Sequence, residues 1–72
     1  MTKFCDKVKR LIREKGISIF RFEVDTGIHR VFFYRKEYHK PRRTTIMAIA
    51  YYLGMTAEEL VADTDAVDAW YS

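Results

Sequence analysis

The chain has 72 residues, of which 49% are hydrophobic, with three glycines and one proline. This length allows one domain with a small core, and the composition excludes a disordered or low-complexity chain. The single cysteine, Cys5, cannot form an internal disulfide, and the sequence contains no long apolar run or leader, so we expect a protein of a reducing cytoplasm that does not bind a membrane.

Charge is distributed unevenly along the sequence. Residues 1–43 contain all 13 basic residues and five acidic ones, a formal charge of +8, whereas residues 44–72 contain five acidic and no basic residues, a formal charge of −5. A basic half of this kind is typical of proteins that bind a polyanion, such as nucleic acid or an acidic membrane surface. A solvated charged face is the simpler alternative.

Residues suited to catalysis or metal binding are few and scattered. Cys5, His29 and His39 lack the close, paired spacing of zinc ligands. The sequence has no Ser/His/Asp or Cys/His set, no paired carboxylates in a plausible cleft and no Gly-rich phosphate loop. We therefore expect no enzymatic activity, no metal, no cofactor and no small-molecule substrate.

The first predicted element is an amphipathic helix. Phe4, Val8, Leu11 and Ile12 repeat at the spacing of one helical stripe, and the basic residues of this segment lie mostly on other faces. Gly16 follows the last basic residues and is expected to end the helix, since glycine readily adopts the left-handed conformation.

The next segment permits two interpretations. Three β-forming residues alternate with charged ones, which predicts a strand, a hairpin loop at 25–27 and a returning strand at 28–35. These alternating residues are Phe20, Phe22 and Val24. Ser18, however, is a favourable helix N-cap, and the Thr-Gly-Ile sequence equally describes a tight turn between two short helices. Local signals therefore leave open a helix–hairpin–helix chain and an all-helical one.

A further helix is predicted after Pro41. Its apolar stripe consists of Ile46, Ile49, Ala50 and Leu53. Thr44 or Thr45 is expected to open this helix, and Gly54 is expected to close it.

The C-terminal part contains a strong local signal followed by a weak one. Thr56 and Glu59 form a capping box, which predicts a short helix through Val61. The acidic tail that follows is either mobile or docks through its apolar side chains. Those side chains are Val67, Trp70 and Tyr71. We therefore divide the chain into a domain of residues 1–62 and a tail of residues 63–72.

Helical spacing also separates the aromatic residues into two groups. Phe22, Phe33 and one of Tyr51 and Tyr52 are predicted to lie in the core. Phe20, Phe32 and Tyr38 are less easily buried and are candidates for a partner interface.

Three motifs occur in a fixed order between residues 8 and 61: REKGIS, TGI and PRRTTIMAIAYYLGMTAEEL. In this order they resemble the first interhelical junction, the helix-turn-helix glycine turn, and the fourth helix with the start of the fifth in the lambda-repressor-like family. That family includes Cro and XRE-type regulators. The resemblance implies a compact all-α domain of four to five helices, with a recognition helix from Ile28 to Lys36.

Two positions depart from the pattern of most family members. Ile19 stands where glutamine is usual, and Glu23 stands where alanine is usual at the crossing of the second and third helices. An unpaired carboxylate is costly when it is buried. We therefore expect the Glu23 side chain to turn away from the crossing or to accept from a nearby donor.

The resemblance also implies which residues read DNA. In this family the third helix lies in the major groove, with residues near its N-terminus facing base edges. The matching positions are His29, Arg30, Val31, Tyr34 and Arg35. Arg30 is favoured for specificity because a guanidinium can donate two hydrogen bonds to guanine. Ile28 and Phe33 are expected to face inward with Phe22.

Phosphate contacts are implied at the start of the second helix and in the loop before the fourth, where cations and free backbone N–H groups accumulate. The residues at these places are Ser18, Arg21, Lys40, Arg42 and Arg43.

The function implied by the resemblance is sequence-specific binding of double-stranded DNA by a transcriptional regulator of the phage or mobile-element repressor type. Such a protein acts in the bacterial cytoplasm, as a homodimer on paired half-sites. The alternative is a protein-interaction module on the same fold, such as an antitoxin or an antirepressor, because a fold does not fix a function.

Overall fold

The computed structural model describes residues 1–34 and 40–72, and in these ranges it contains helices and no β-strand. The helices are α1 (Phe4–Glu14), α2 (Ile19–Thr26), the 3-10 helix η1 (Arg30–Phe33), α3 (Arg43–Leu53), α4 (Ala57–Val61) and α5 (Val67–Tyr71). The radius of gyration is 11.2 Å, close to the value of about 11 Å expected for a compact domain of this length. The predicted compact all-α class is confirmed. No described helix combines the length and the apolar character that crossing a bilayer requires.

Helix α1 buries the stripe that its sequence predicts. Phe4, Val8 and Ile12 are buried, and Leu11 is half-buried against the same core. On another face, the Lys7 ammonium donates to two carbonyls at the end of α4, those of Glu59 (2.7 Å) and Ala62 (2.9 Å). Partial burial, and then the nearby Arg10 charge, lower the pKa of Lys7. One side of α1 therefore faces α4.

Helix α2 replaces the strand that period-2 alternation favoured. The Ser18 hydroxyl accepts from the Arg21 N–H (3.0 Å) and starts the helix. Gly27, at φ 75°, ends it in the left-handed conformation that favours glycine. Phe22 is completely buried, whereas Phe20 is 64% exposed. The strand interpretation was wrong because the alternating apolar residues do not share one face.

Helices α3 and α4 follow their local signals closely. Helix α3 begins one residue before the predicted Thr44, with an extended Arg42 whose carbonyl accepts from the Ile46 N–H. Gly54, at φ 70°, ends it as predicted. The capping box of α4 is confirmed: Thr56 and Glu59 exchange hydrogen bonds of 3.0 Å between side chain and backbone. The hydrogen bond that the Thr56 N–H donates to the Glu59 carboxylate, and then a second one from the Thr56 hydroxyl (2.9 Å), lower the pKa of Glu59.

Aromatic rings join the first half of the chain to α3. The Phe22 ring makes edge contacts with Phe33 (centroids 5.3 Å apart) and Tyr52 (5.7 Å). Phe32, half-buried, contacts Phe33 and Phe4. The predicted placement of Phe22, Phe33 and one of the two adjacent tyrosines in or against the core is confirmed. Tyr38, the third aromatic residue expected to be less easily buried, lies outside the described residues.

The C-terminal segment docks on the rest of the chain. Thr2 pairs with Thr64 in an isolated bridge, and the Asp65 carboxylate accepts from the Phe4 N–H (2.9 Å) at the start of α1. Helix α5 packs Trp70 and two smaller apolar residues against the core. Of the two alternatives for this segment, the structure shows docking.

We predict that Phe22→Ala destabilises the domain by about 3–5 kcal/mol, because it removes the ring shared by α2, η1 and α3 and leaves a cavity. This loss is a large part of the ~5–15 kcal/mol stability of a typical domain. The measurement is urea unfolding followed by far-UV circular dichroism. Phe20→Ala is the matched control and should change stability by less than about 1 kcal/mol. Equal losses in the two variants would contradict the buried and exposed assignments.

Candidate nucleic-acid interface

The predicted recognition helix begins two residues later than expected. Ile28 and His29 are not helical, and η1 starts at Arg30. The Thr26 hydroxyl donates to the Phe22 carbonyl (2.7 Å) and accepts from the Ile28 N–H (3.1 Å). These two bonds stabilise the non-helical turn that follows α2 and extends to His29. The start at Ile28 was therefore wrong. The predicted end, at Lys36, lies outside the described residues.

Two side chains cap the start of η1. The His29 ring accepts at Nδ1 from the Val31 N–H (3.1 Å). Glu23 Oε2 accepts from the Arg30 N–H (2.6 Å) and lies 3.9 Å from His29 Nδ1. The expectation that the Glu23 carboxylate accepts from a nearby donor is therefore confirmed. This hydrogen bond also orients Arg30, the first residue of η1.

Four of the five predicted base-reading residues are exposed in η1 or directly beside it. Of these, His29, Arg30, Val31 and Tyr34 are exposed. Phe33 is buried and Ile28 is half-buried against the core, so their predicted inward direction is confirmed. The fifth predicted residue, Arg35, lies outside the described part of the chain.

Lys9 was not predicted as a site residue. Its ammonium lies 5.4 Å from the centroid of the Tyr34 ring. The two residues are brought together by the packing of α1 against η1. A cation over an aromatic face is attracted by the ring quadrupole, so Lys9 adds positive charge beside the exposed side of η1. No local pattern in the sequence pairs these two positions.

At the start of α2, both predicted phosphate-binding residues already have intramolecular partners. The Ser18 hydroxyl is occupied by the Arg21 N–H. The Arg21 guanidinium, still 69% exposed, donates from Nε to Asp25 Oδ2 (3.0 Å). The same carboxylate oxygen accepts from the Tyr52 hydroxyl (2.6 Å), which connects α2 to α3.

The hydrogen bond between Asp25 and Tyr52 shifts the pKa values of the two side chains in opposite directions. The Tyr52 hydroxyl first, and then the Arg21 side chain, lower the pKa of Asp25 below its ordinary value of 3.8. Accepted by that carboxylate, the Tyr52 proton is held more tightly, and the pKa of Tyr52 rises above 10.0. Asp25 is therefore ionised at neutral pH and limits how much free charge Arg21 presents.

A groove of about 410 Å³ lies beside η1, next to the basic loop of residues 40–43. Its lining residues include His29, Val31, Lys40 and Arg42. Its remaining lining residues are Ile28, Phe32, Pro41 and Thr45. Two predicted base contacts and two predicted phosphate contacts thus lie around one groove.

Arg43 faces a different part of the molecule. Its guanidinium donates to the Trp70 carbonyl (2.7 Å) and lies 4.4 Å from the centroid of the Trp70 ring. The Trp70 indole N–H in turn donates to Glu58 Oε2 (2.8 Å). Arg43 therefore connects the first turn of α3 to α5, a contact that its position in a basic run did not predict.

Fold and site define a helix-turn-helix domain, in which α2 and η1 are joined by the turn at Gly27. A family model described as the Cro/C1-type HTH DNA-binding domain matches residues 7–66. The chain therefore belongs to the Cro/C1-type helix-turn-helix DNA-binding family, and the predicted lambda-repressor-like resemblance is confirmed. Searches of curated proteins and of solved structures found no significant match.

Family membership supports a DNA-binding regulator. Within residues 1–34 and 40–72, no group of three or more His, Cys, Asp or Glu side chains is arranged to hold a metal ion. The described residues place exposed donors and cations beside the turn at Gly27, an arrangement that suits contacts to DNA bases and phosphates.

We predict that Tyr52→Phe destabilises the domain, because it removes the hydrogen bond to Asp25. Since the pKa of Asp25 is lowered in the folded state, its contribution is present above pH 3.8 and is lost as the pH falls below that value. The pKa of Tyr52 is raised, so its contribution is present below pH 10.0 and is lost as the pH rises above it. The stability difference between wild type and Tyr52→Phe should therefore be largest between these limits.

The measurement is urea unfolding at a series of pH values. Tyr51→Phe is the matched control, because Tyr51 is 90% exposed, and it should leave stability unchanged at every pH. A difference between wild type and Tyr52→Phe that does not depend on pH would contradict the role of the Asp25 carboxylate.

Proposed function

We propose that this protein is a sequence-specific transcriptional regulator, of the phage or mobile-element repressor type, that inserts η1 into the DNA major groove. The observation that carries this proposal is the exposed side of η1: Arg30 and Tyr34 are exposed there, and the neighbouring His29 and Val31 line one groove together with Lys40 and Arg42. The protein represses by occupying an operator, and this needs no catalytic step. It acts in the bacterial cytoplasm on double-stranded DNA.

Base reading is assigned to the exposed side of η1. Arg30 donates two hydrogen bonds to O6 and N7 of a guanine, and Val31 contacts a thymine methyl group. Tyr34 and His29 donate to bases or phosphates, and Arg35 reads a second base or holds a phosphate. Glu23 supports this arrangement because its hydrogen bond to the Arg30 N–H fixes where the arginine side chain leaves the backbone.

Phosphate binding is assigned to the two flanks of η1. Ser18 and Arg21 hold one strand at the start of α2. Lys40 and Arg42 hold the DNA backbone on the other side of η1. Arg43, the next residue in the chain, is assigned a further phosphate contact. Paired half-sites on DNA call for two copies of the chain, so the protein binds as a homodimer.

We predict that Arg30→Ala weakens binding to the preferred site by about 1–3 kcal/mol, or roughly 5- to 150-fold, because a bidentate guanine contact is lost. The preferred site is first selected from a random DNA pool, and binding is then measured by fluorescence anisotropy at fixed salt. The variant should also lose its preference at one base pair, whereas its helix content should be unchanged.

Arg10→Ala is the matched control, because Arg10 pairs with Glu14 one turn beyond Lys7, on the side of α1 that faces α4. It should bind the selected site within about twofold of wild type. Selection of no site by the wild type, or an Arg30→Ala variant with wild-type affinity, would remove the regulator and favour the protein-interaction module.

We predict different salt dependences for the adjacent arginines of the basic loop. Each neutralised phosphate adds about −0.9 to the slope of log affinity against log salt, so four contacts give a slope near −4 per subunit. Arg42→Gln should make the slope shallower by about 0.9. Arg43→Gln should change it less, because the Arg43 guanidinium is held by Trp70. Equal changes in the two variants would show that Arg43 leaves Trp70 to grip DNA.

A further inference from the structure

Helix α5 holds one cation of the basic loop through several contacts. The Arg43 guanidinium donates to the Trp70 carbonyl (2.7 Å) and lies 4.4 Å from the centroid of the Trp70 ring. That carbonyl is among the last four of α5, which have no partner within the helix. The indole N–H donates to Glu58 Oε2 (2.8 Å), so a carboxylate of α4 orients the ring that the guanidinium contacts. We call these contacts between Glu58, Trp70 and Arg43 the α5 latch.

The neighbouring cations of the loop are not held in this way. Lys40 and Arg42 line the groove beside η1, and neither side chain makes a hydrogen bond or an ion pair with another residue of the ranges 1–34 and 40–72. Arg43 leaves the backbone at almost the same place, because adjacent Cα atoms are about 3.8 Å apart. Thr45, two residues further, also lines the groove. Arg43 therefore differs from Arg42 by the α5 latch rather than by its position in the chain.

We propose that α5 is an autoinhibitory element that withholds Arg43 from DNA phosphate. A phosphate is bound most strongly by two parallel N–H groups of one guanidinium. In the α5 latch, Nη1 of Arg43 is bonded to the Trp70 carbonyl and the guanidinium lies over the indole ring. Arg43 must leave Trp70 to present both groups to DNA. This inference rests on the proposed function, because DNA is the polyanion that competes with Trp70 for the guanidinium.

The size of the expected effect follows from counterion release. One phosphate contact adds about −0.9 to the slope of log affinity against log salt, which is roughly an eightfold loss for each tenfold rise in salt. A fully released Arg43 should therefore raise affinity for duplex DNA by up to about eightfold at 0.1 M salt. A phosphate contact strengthens binding to all sequences about equally, so the base preference of the protein should not change.

The experiment compares the wild type with Trp70→Leu in the full chain. Leucine keeps an apolar side chain against the core but has neither an aromatic face nor an indole N–H. Binding to a duplex of unselected sequence is measured by fluorescence anisotropy over a series of salt concentrations. The backbone carbonyl of residue 70 remains in this variant, so the gain should be about three- to fivefold at 0.1 M salt, with a steeper slope.

Two further variants show whether the gain comes from Arg43. In the Arg43→Gln background, Trp70→Leu should have no effect on affinity or slope, because no cation is left to release. Tyr71→Leu is the matched control, since Tyr71 is the next residue of α5 and is 65% exposed. It removes an aromatic ring without touching the α5 latch and should bind DNA like the wild type.

Urea unfolding and circular dichroism check that each variant is folded in the assay. If Trp70→Leu loses helix content, Trp70→Phe takes its place. This variant keeps a ring but loses the bond to Glu58, and its affinity should rise about twofold, because phenylalanine attracts a cation less strongly than tryptophan does. A folded variant at position 70 with wild-type affinity and slope would show that the α5 latch only stabilises the fold, and would overturn the proposal. An equal gain in Tyr71→Leu, or a gain that persists in the Arg43→Gln background, would also overturn it.

Selection of a preferred site from a random DNA pool, made in parallel, separates this proposal from the proposed function. If no site is selected but Trp70→Leu gains affinity for the unselected duplex, the regulator fails and the autoinhibitory role of α5 stands. If a site is selected and Trp70→Leu gains nothing, the regulator stands and the autoinhibitory role fails. If neither the wild type nor Trp70→Leu binds any duplex, both proposals are overturned.

Discussion

The Phe22 ring is the contact on which the rest of the site depends. It is completely buried and touches Phe33 of η1 and Tyr52 of α3. A four-residue 3-10 helix has too few hydrogen bonds to hold its own position, so η1 keeps its direction through packing. Phe33 supplies that packing. Because the Phe33 side chain is buried, the exposed residues of η1 point toward solvent. One aromatic cluster therefore determines which side of η1 faces solvent.

Polar contacts then fix details that packing leaves free. Glu23 and His29 accept from the first two N–H groups of η1, and Asp25 joins Arg21 to Tyr52. Each carboxylate lies close to a predicted DNA contact and lowers the local positive charge. A surface that bound phosphate by charge alone would gain from their removal. Glu23 and Asp25 thus fix the position of their neighbours while they lower the local positive charge.

Local sequence signals predicted the helix ends well. Ser18, Gly27, Gly54 and the Thr56 capping box each act through the adjacent backbone, so their effect can be read without knowing the fold. The alternation of apolar and charged residues around Phe22 wrongly favoured a strand, because a helix of only two turns shows its 3.6-residue period poorly. The family resemblance resolved that choice.

Tertiary contacts of the site could not be predicted in the same way. Lys9 meets Tyr34, and Arg43 meets Trp70, across long separations in sequence, because of how the helices pack. Composition marked all of these residues as basic or aromatic but could not pair them. The basic run ending at Arg43 looked uniform in sequence, yet in the structure Arg42 lines the groove beside η1 while Arg43 contacts α5.

The direction of Arg43 also bears on how the molecule approaches DNA. Helix η1 packs against α1 and α2, whereas α5 packs against α3 and α4. The five acidic residues of the C-terminal part lie in α4, in α5 or between them, whereas Arg30 lies in η1 and Lys40 and Arg42 line the groove beside it. Under the proposed function, DNA repels the acidic side chains and attracts the basic ones, so this polarity orients the protein on its approach to DNA. Arg43 holds α5, and with it part of the negative charge, against α3.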